Sequence, residues 1–282
     1  MSFHIVKQKA ALADGFRAAL RGELVRTARD LDVSSRAAPG PRIFRARKRV
    51  KKVRSALRLL EAASFPAVSR TDHSLLRDAC AEIAPAHGAD ANLGTLKTLC
   101  DDSGCDPLRF SRAFEALEKR RQAIARGTPA SMRKAATLLK GSLSRIEAWD
   151  DRAIPWKDIA RALERSYKRA RKAFRKAVDE PSAESLHTWR KRSQDILHGL
   201  QLTPAGESKP ARRLKKLCSL LGEVHDLTLL RQALDEFRLG KEKPRLDKLI
   251  SARREKAQAR AFKLAAKCFS RKPADFIEKV TG

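Results

Sequence analysis

The chain has 282 residues and carries 62 Lys and Arg against 33 Asp and Glu, a formal net charge of +29. An apolar content of 42% is too high for a disordered basic tail, and the length suffices for one large core or two ordinary ones. The sequence has no apolar run near 18 residues, which excludes a membrane-spanning helix, and its five cysteines form an odd set without a Cys-x-x-Cys pair, which argues against a disulfide framework or a structural zinc site.

The excess charge is shared by both halves, so it belongs to a folded body and not to a tail. Such a body attracts polyanions by steering and counterion release. Nucleic acid, an acidic membrane surface and inorganic polyphosphate all satisfy that requirement. The first ten residues lack a charged-then-apolar export pattern, and the cysteines read as buried hydrophobes of a reducing compartment. The expected location is the cytoplasm.

Twelve prolines punctuate the chain, and each marks a helix start or stop. The predicted helices run over 4–31, 42–63, 72–84, 91–101, 108–126, 130–147, 156–178, 182–200, 210–222, 225–239, 245–271 and 273–280. Ser182 and Ser185 stand at one expected start, and Asp106 leads into Pro107 at another. Residues 85–106, broken by glycines at both ends, read as a loop with one short helix. No segment alternates with period two. The expected class is all-α, with antiparallel helices on short loops.

The segment 42–61 is the most informative. Ile43, Ala46, Val50, Val53, Leu57 and Leu60 recur at three and four, the rhythm of a buried helical stripe. Arg47, Lys51, Arg54 and Arg58 form a second row about 100° away, at the edge of that stripe. Like charges in one row repel by a few tenths of a kcal/mol per pair, which a bound anion would offset. The alternative is a solvated basic face whose long side chains cover apolar surface. An internal repeat at an offset of 143 sets Phe44, Arg47 and Lys48 against His187, Arg190 and Lys191. Lys51 falls on Gln194, so the second copy has lost most of the basic row. Two similar helical bundles about a pseudo-two-fold axis are the expected consequence, divided as residues 1–150 and 151–282.

These residues resemble the CHAD family of α-helical, histidine-containing domains. The segment Phe44-x-x-Arg47-Lys48-Arg49-Val50-Lys51-Lys52-Val53-Arg54 is similar to the family's first basic helix. Ser166-Tyr167 through Arg171, then His187-x-Trp189-Arg190-Lys191-Arg192, are similar to its second-half helices. Leu221-Gly222-x-x-His225-Asp226-Leu227 matches a family turn, and Arg253-Arg254 with Phe276 resembles the closing helix and tail. The resemblance implies two four-helix bundles around a basic central cavity, binding of inorganic polyphosphate, association with polyphosphate granules and no catalysis. Granule-associated proteins are further implied partners. Three departures stand out: Phe44 in a histidine position, Gln194 in a usually basic one, and His87-Gly88 in place of the first-half turn.

On that resemblance Arg47, Lys48, Lys51, Arg54 and Arg58 form one wall of the site, and His187, Arg190 and Lys191 the other. Tyr167 and Arg171 would add a hydroxyl and a cation, His225 a further contact, and Arg253 or Arg254 charge from the last long helix. His187 and His225 each have a second reading as hydrogen-bonded structural residues, and Tyr167, Trp189 and Phe174 as core. Polyphosphate needs many cations and no stacking platforms. The 5% aromatic content, with a single tyrosine, therefore favours it over single-stranded nucleic acid, though a nucleic-acid-binding helical module remains the alternative. No phosphate-cradling Gly-x4-Gly-Lys-Ser/Thr loop and no His-Glu-x-x-His motif occur, and adjacent carboxylates such as Asp101-Asp102 are few and scattered. The chain is therefore expected to be neither an enzyme nor a holder of a metal or cofactor.

Overall fold

The computed structural model describes residues 12–65, 67–149 and 154–281. Every regular element among them is helical. The first helices are α1 (Leu12–Asp30), α2 (Pro39–Ala62), α3 (Arg70–Glu82) and α4 (Ala84–Ser103). After a 3-10 turn at Pro107–Phe110 come α5 (Ser111–Ala125), α6 (Thr128–Glu147) and α7 (Trp156–Asp179). The chain closes with α8 (Ala183–Gln201), a 3-10 turn at Pro204–Glu207, α9 (Lys209–Asp235), α10 (Glu242–Cys268) and α11 (Pro273–Thr281). The part of the first predicted helix over 4–11 lies outside the described residues.

Local signals set many of these boundaries. Pro39 and Pro41 occupy the first turn of α2, where a missing N–H costs nothing. Ser69 and Asp72 form a reciprocal capping box at α3, and Ser182 with Ser185 does the same at α8. Asp106 accepts a hydrogen bond from the Leu108 amide, capping the 3-10 turn. Gly104 ends α4 with φ at 63°, a left-handed conformation that favours glycine.

Two expectations are corrected. Residues 85–106, read as a loop with one short helix, are mostly α4, which continues through Gly88 and Gly94. Each glycine costs a helix about 1 kcal/mol against alanine. Burial of Leu96, Leu99 and Cys100 outweighs that cost, because each apolar side chain removed from water contributes about 1.5–3 kcal/mol. Likewise 210–222 and 225–239 are one helix, α9, and the expected turn at Leu221–Leu227 is helical throughout. Leu217, Leu221, Val224, Leu227 and Leu230 carry a single buried stripe across Gly222 and the His225-Asp226 pair.

The buried side chains form two clusters. The larger draws on α1, α2, α3, α6, α7, α8, the first half of α9, the second half of α10, and α11. The smaller joins α4, the first 3-10 turn and α5 to the end of α9 and the start of α10. Both clusters take residues from either side of position 150, and residues 150–153 themselves lie outside the described set. Helices α7 and α8 approach so closely at Gly199 that a Cβ there would stand 2.8 Å from Leu163 Cδ2. That approach places α8 alongside α2 and presents the two repeat helices to the same interior.

Candidate functional site

In α2 the apolar stripe is buried from Ile43 to Leu60, and the basic row beside it is half-buried, as its position at the stripe's edge requires. Around this row lie three adjoining cavities of about 1000, 580 and 260 Å³. Lys51, Phe44 and His87 line both the first and the second; Arg190 lines both the first and the third. Lys51 of α2 and Arg190 of α8 are therefore the side chains at which the three spaces meet.

The cavities differ in charge. In the largest, between α2, α4, α9 and α10, cations and carboxylates are nearly balanced. Arg253 there is already engaged by Glu223 and, at 2.8 Å, by Asp102; Arg121 is held by Glu118 at 2.6 Å. The second cavity is strongly basic, with Arg47, Lys48, Lys51, Lys52 and Lys215 against the single carboxylate of Glu207. The smallest holds His187, Arg190, His225 and Arg254 against Glu255.

The central cations lack counterions. Arg47 donates to the Cys80 carbonyl at 2.7 Å, a neutral partner. Neither Arg47, Lys51 nor Arg190 has a carboxylate within ion-pair distance among the described residues. The Nε groups of Arg47, Arg54 and Arg190 are buried with no hydrogen-bond partner, an arrangement that costs about 1–3 kcal/mol per unsatisfied group. Burial first, and then the Arg190 and Arg47 charges, lower the Lys51 ammonium to a pKa of about 8. Burial and the same cations hold His87 at about 4, and burial with Arg190 and His187 holds His225 at about 4. His187 is also lowered, by burial and by Lys191. Asp226, across the cavity, is raised by burial, with Arg190 and Lys51 opposing that shift. Burial disfavours the charged form of each of these groups, and the crowding of cations disfavours it further in Lys51 and the three histidines.

Histidine and aromatic rings pair in the lining of these cavities. Phe44 of α2 packs against His87 of α4 with ring centroids 6.0 Å apart, and His187 of α8 against His225 of α9 at 5.2 Å. Phe44, the departure at a histidine position, thus meets a histidine from α4.

Several expected contacts are placed elsewhere. Tyr167 is wholly buried, stacks on Phe276 at 4.0 Å, and donates its hydroxyl to the Cys268 and Arg271 carbonyls at 3.0 and 3.3 Å. Arg171 donates to the Phe269 carbonyl at 3.1 Å. Both residues clamp the end of α10 to α7, because the face of α7 that carries them packs on the core and not on the cavities. Tyr167→Phe should therefore lower stability by about 1 kcal/mol and leave ligand affinity unchanged; denaturant unfolding and a binding isotherm on the same variant check this. Arg58 also lies off the three cavities, paired to Asp195 of α8 and hydrogen-bonded to Ser55, so it ties α2 to α8. Arg54 and Lys191 line none of the three cavities. Lys48, Arg253 and Arg254 do line them.

Sequence reasoning passed over Lys52, Lys215, His198 and Asp90. Lys52 follows Lys48 at helical spacing, one row beside Arg47 and Lys51, and that signal was available. Lys215 was not recoverable, since its place in the second cavity depends on how α9 crosses α2 and α8.

The CHAD-domain family profile matches residues 18–235. The chain belongs to the CHAD family. The crystal structure of the CHAD domain from the plant Ricinus communis superposes with a TM-score of 0.64, covering 98% of this chain and 93% of that one at 20% identity. At that identity the likeness speaks for the fold. No curated protein sequence matches the chain. The match spans α2, α8 and α9, the helices that bring Arg47, Lys51, Arg190 and His225 together in this CHAD domain. No helix among the described residues is long and apolar enough to cross a membrane.

Proposed function

We propose that this CHAD domain binds inorganic polyphosphate, without catalysis, in the basic cavity between α2, α8 and α9. One observation carries the reading. Arg47, Lys51 and Arg190 converge half-buried with no carboxylate in ion-pair reach, and burial, followed by the charges of Arg190 and Arg47, depresses Lys51 to a pKa of about 8. A phosphate chain supplies the missing charge continuously along such a row, and arginine forks can bridge its oxygens. The two ring pairs, Phe44 with His87 and His187 with His225, support a reading of two similar halves facing one another across this interior. Cytoplasmic residence and attachment to polyphosphate granules belong to the same proposal.

Competition decides between this reading and nucleic acid. With long-chain polyphosphate, RNA and duplex DNA at equal phosphate and about 150 mM salt, polyphosphate should win. A preference for duplex overturns the proposal.

Proton linkage gives a second check. A bound polyanion favours the charged form of each neighbouring base, so binding takes up protons wherever the free group has lost its own. Lys51 in the free protein loses its proton as pH rises through about 8. Affinity should therefore fall above that pH, by up to about tenfold per pH unit, until the pKa of the bound form is reached. His87 and His225, neutral in the free protein above about 4, should tighten binding further as pH falls below neutrality. Isotherms at constant ionic strength from pH 5.5 to 9.5 measure both limbs. A flat profile would exclude Lys51 and the histidines from contact.

A further inference from the structure

The cavities use only a fraction of the chain's cations, and the outer face of α7 gathers another set. Lys168, Lys172, Arg175 and Lys176 are all exposed and have no hydrogen bond or ion pair among the described residues. Arg161 and Arg165 extend the same row toward the helix start. At 100° per residue these six lie within about 100° of one another, on the face opposite Ile159, Leu163, Tyr167 and Ala170, which are buried. The row is about 22 Å long at 1.5 Å per residue. Arg161 reaches Asp158 at 3.7 Å and Arg165 donates to the Ala62 carbonyl, so the uncompensated part is the C-terminal two turns.

No residue of α7 lines any of the three cavities, so this ridge is separate from them. Its own inward face is committed to the core and to clamping α10 and α11. Asp179 stands on the same face at the helix end but makes no ion pair with Arg175 or Lys176 among the described residues, so the cations repel one another by a few tenths of a kcal/mol per neighbouring pair.

We propose that the outer ridge of α7 is a second polyanion-binding face, whose occupant is a separate segment of long-chain polyphosphate. The inference rests on the polyphosphate reading of the cavity. It adds that one molecule holds two stretches of polymer at once, and so cross-links long chains. Charge complementarity and the absence of stacking groups support this occupant. The ridge carries no aromatic side chain for bases; of the adjoining aromatics, Tyr167 packs inward on Phe276, and Phe174 on Trp189 and Phe269. An acidic bilayer would call for apolar side chains beside the basic ones, and this row has none.

The test compares the wild-type chain, the ridge variant Lys168→Gln/Lys172→Gln/Arg175→Gln/Lys176→Gln, its charge-keeping counterpart Lys168→Arg/Lys172→Arg/Lys176→Arg, and the cavity variant Lys51→Ala/Arg190→Ala. Three quantities are read at about 150 mM salt: affinity for short-chain polyphosphate, light scattering on titration with long-chain polyphosphate, and affinity for duplex DNA. The ridge variant should bind short chains within about twofold of wild type yet lose most of the scattering, and the charge-keeping variant should restore it. Scattering unchanged in the ridge variant overturns the proposal. So does loss of duplex DNA binding in that variant with cross-linking of polyphosphate intact, which would make the ridge a nucleic-acid face. Failure of the cavity reading shows separately, as short-chain affinity undiminished in the cavity variant.

Discussion

Lys51→Ala combined with Arg190→Ala should weaken short-chain polyphosphate binding roughly 100-fold, while Arg120→Ala combined with Arg212→Ala changes it less than about threefold. The two pairs remove the same formal charge, so long-range attraction falls equally in both. They differ in place. Lys51 and Arg190 stand where the three cavities meet, half-buried and without counterions. Arg120 is paired on the surface with Glu236 at 2.8 Å, and Arg212 is exposed. A charge-assisted bond in a partly dry site contributes about 1.5–3 kcal/mol, and each 1.4 kcal/mol is tenfold, so two such contacts reach the expected loss. The same contacts made in open water are worth little. Isothermal titration of both double variants at one salt concentration measures the difference. Equal losses would mean that binding follows net charge alone, with no role for the cavity.

Lys51→Met should make the unliganded protein more stable, by about 2–3 kcal/mol at pH 7, a rise in Tm of about 4–8 °C. The folded chain holds Lys51 at a pKa of about 8, below its ordinary 10.5, which means that folding penalises the ammonium. Below pH 8 the side chain is charged in both folded and unfolded chains, and the penalty is complete. Between 8 and 10.5 the folded chain sheds the proton first, and the penalty fades. Lys51 alone therefore makes wild-type stability rise over that interval, and the methionine variant should lack the rise. Saturating polyphosphate should reverse the ranking, because the ligand stabilises wild type more than the variant. Thermal unfolding of both proteins with and without polyphosphate, at pH 7 and pH 9.5, tests each part. A destabilised variant at pH 7 would show that Lys51 has a structural partner.

Both results express one trade. A half-buried row of cations costs stability relative to apolar side chains of similar size, and a bound anion would offset that cost. Arg58 makes the contrast plain within the same row. One terminal nitrogen of its guanidinium pairs with Asp195 and donates to Ser55, and it joins two helices where Lys51 faces a cavity. Residues equivalent in spacing along α2 thus divide, Arg47 and Lys51 lining cavities and Arg58 holding α8.

Much of this was legible without coordinates. The three-four recurrence from Ile43 to Leu60 and the caps at Ser182 and Asp106 are local signals, and the helices they specify form where expected. The edge position of Arg47 and Lys51 follows from angles about one helix axis and needs no partner. Other features depended on neighbours distant in the chain. Helix α4 survives two glycines only because Leu96 and Leu99 have α5, α9 and α10 to pack on, a gain invisible to local propensity. The resemblance offers Tyr167 as a site residue and its neighbours favour the core, a choice decided by Phe276 stacked on its ring. Composition and periodicity determined a basic, all-helical chain with cations along the margin of a buried stripe. Which of those cations face space and which face a carboxylate was decided by the crossing of α2, α8 and α9, because charge compensation depends on distance through the fold and not along the sequence.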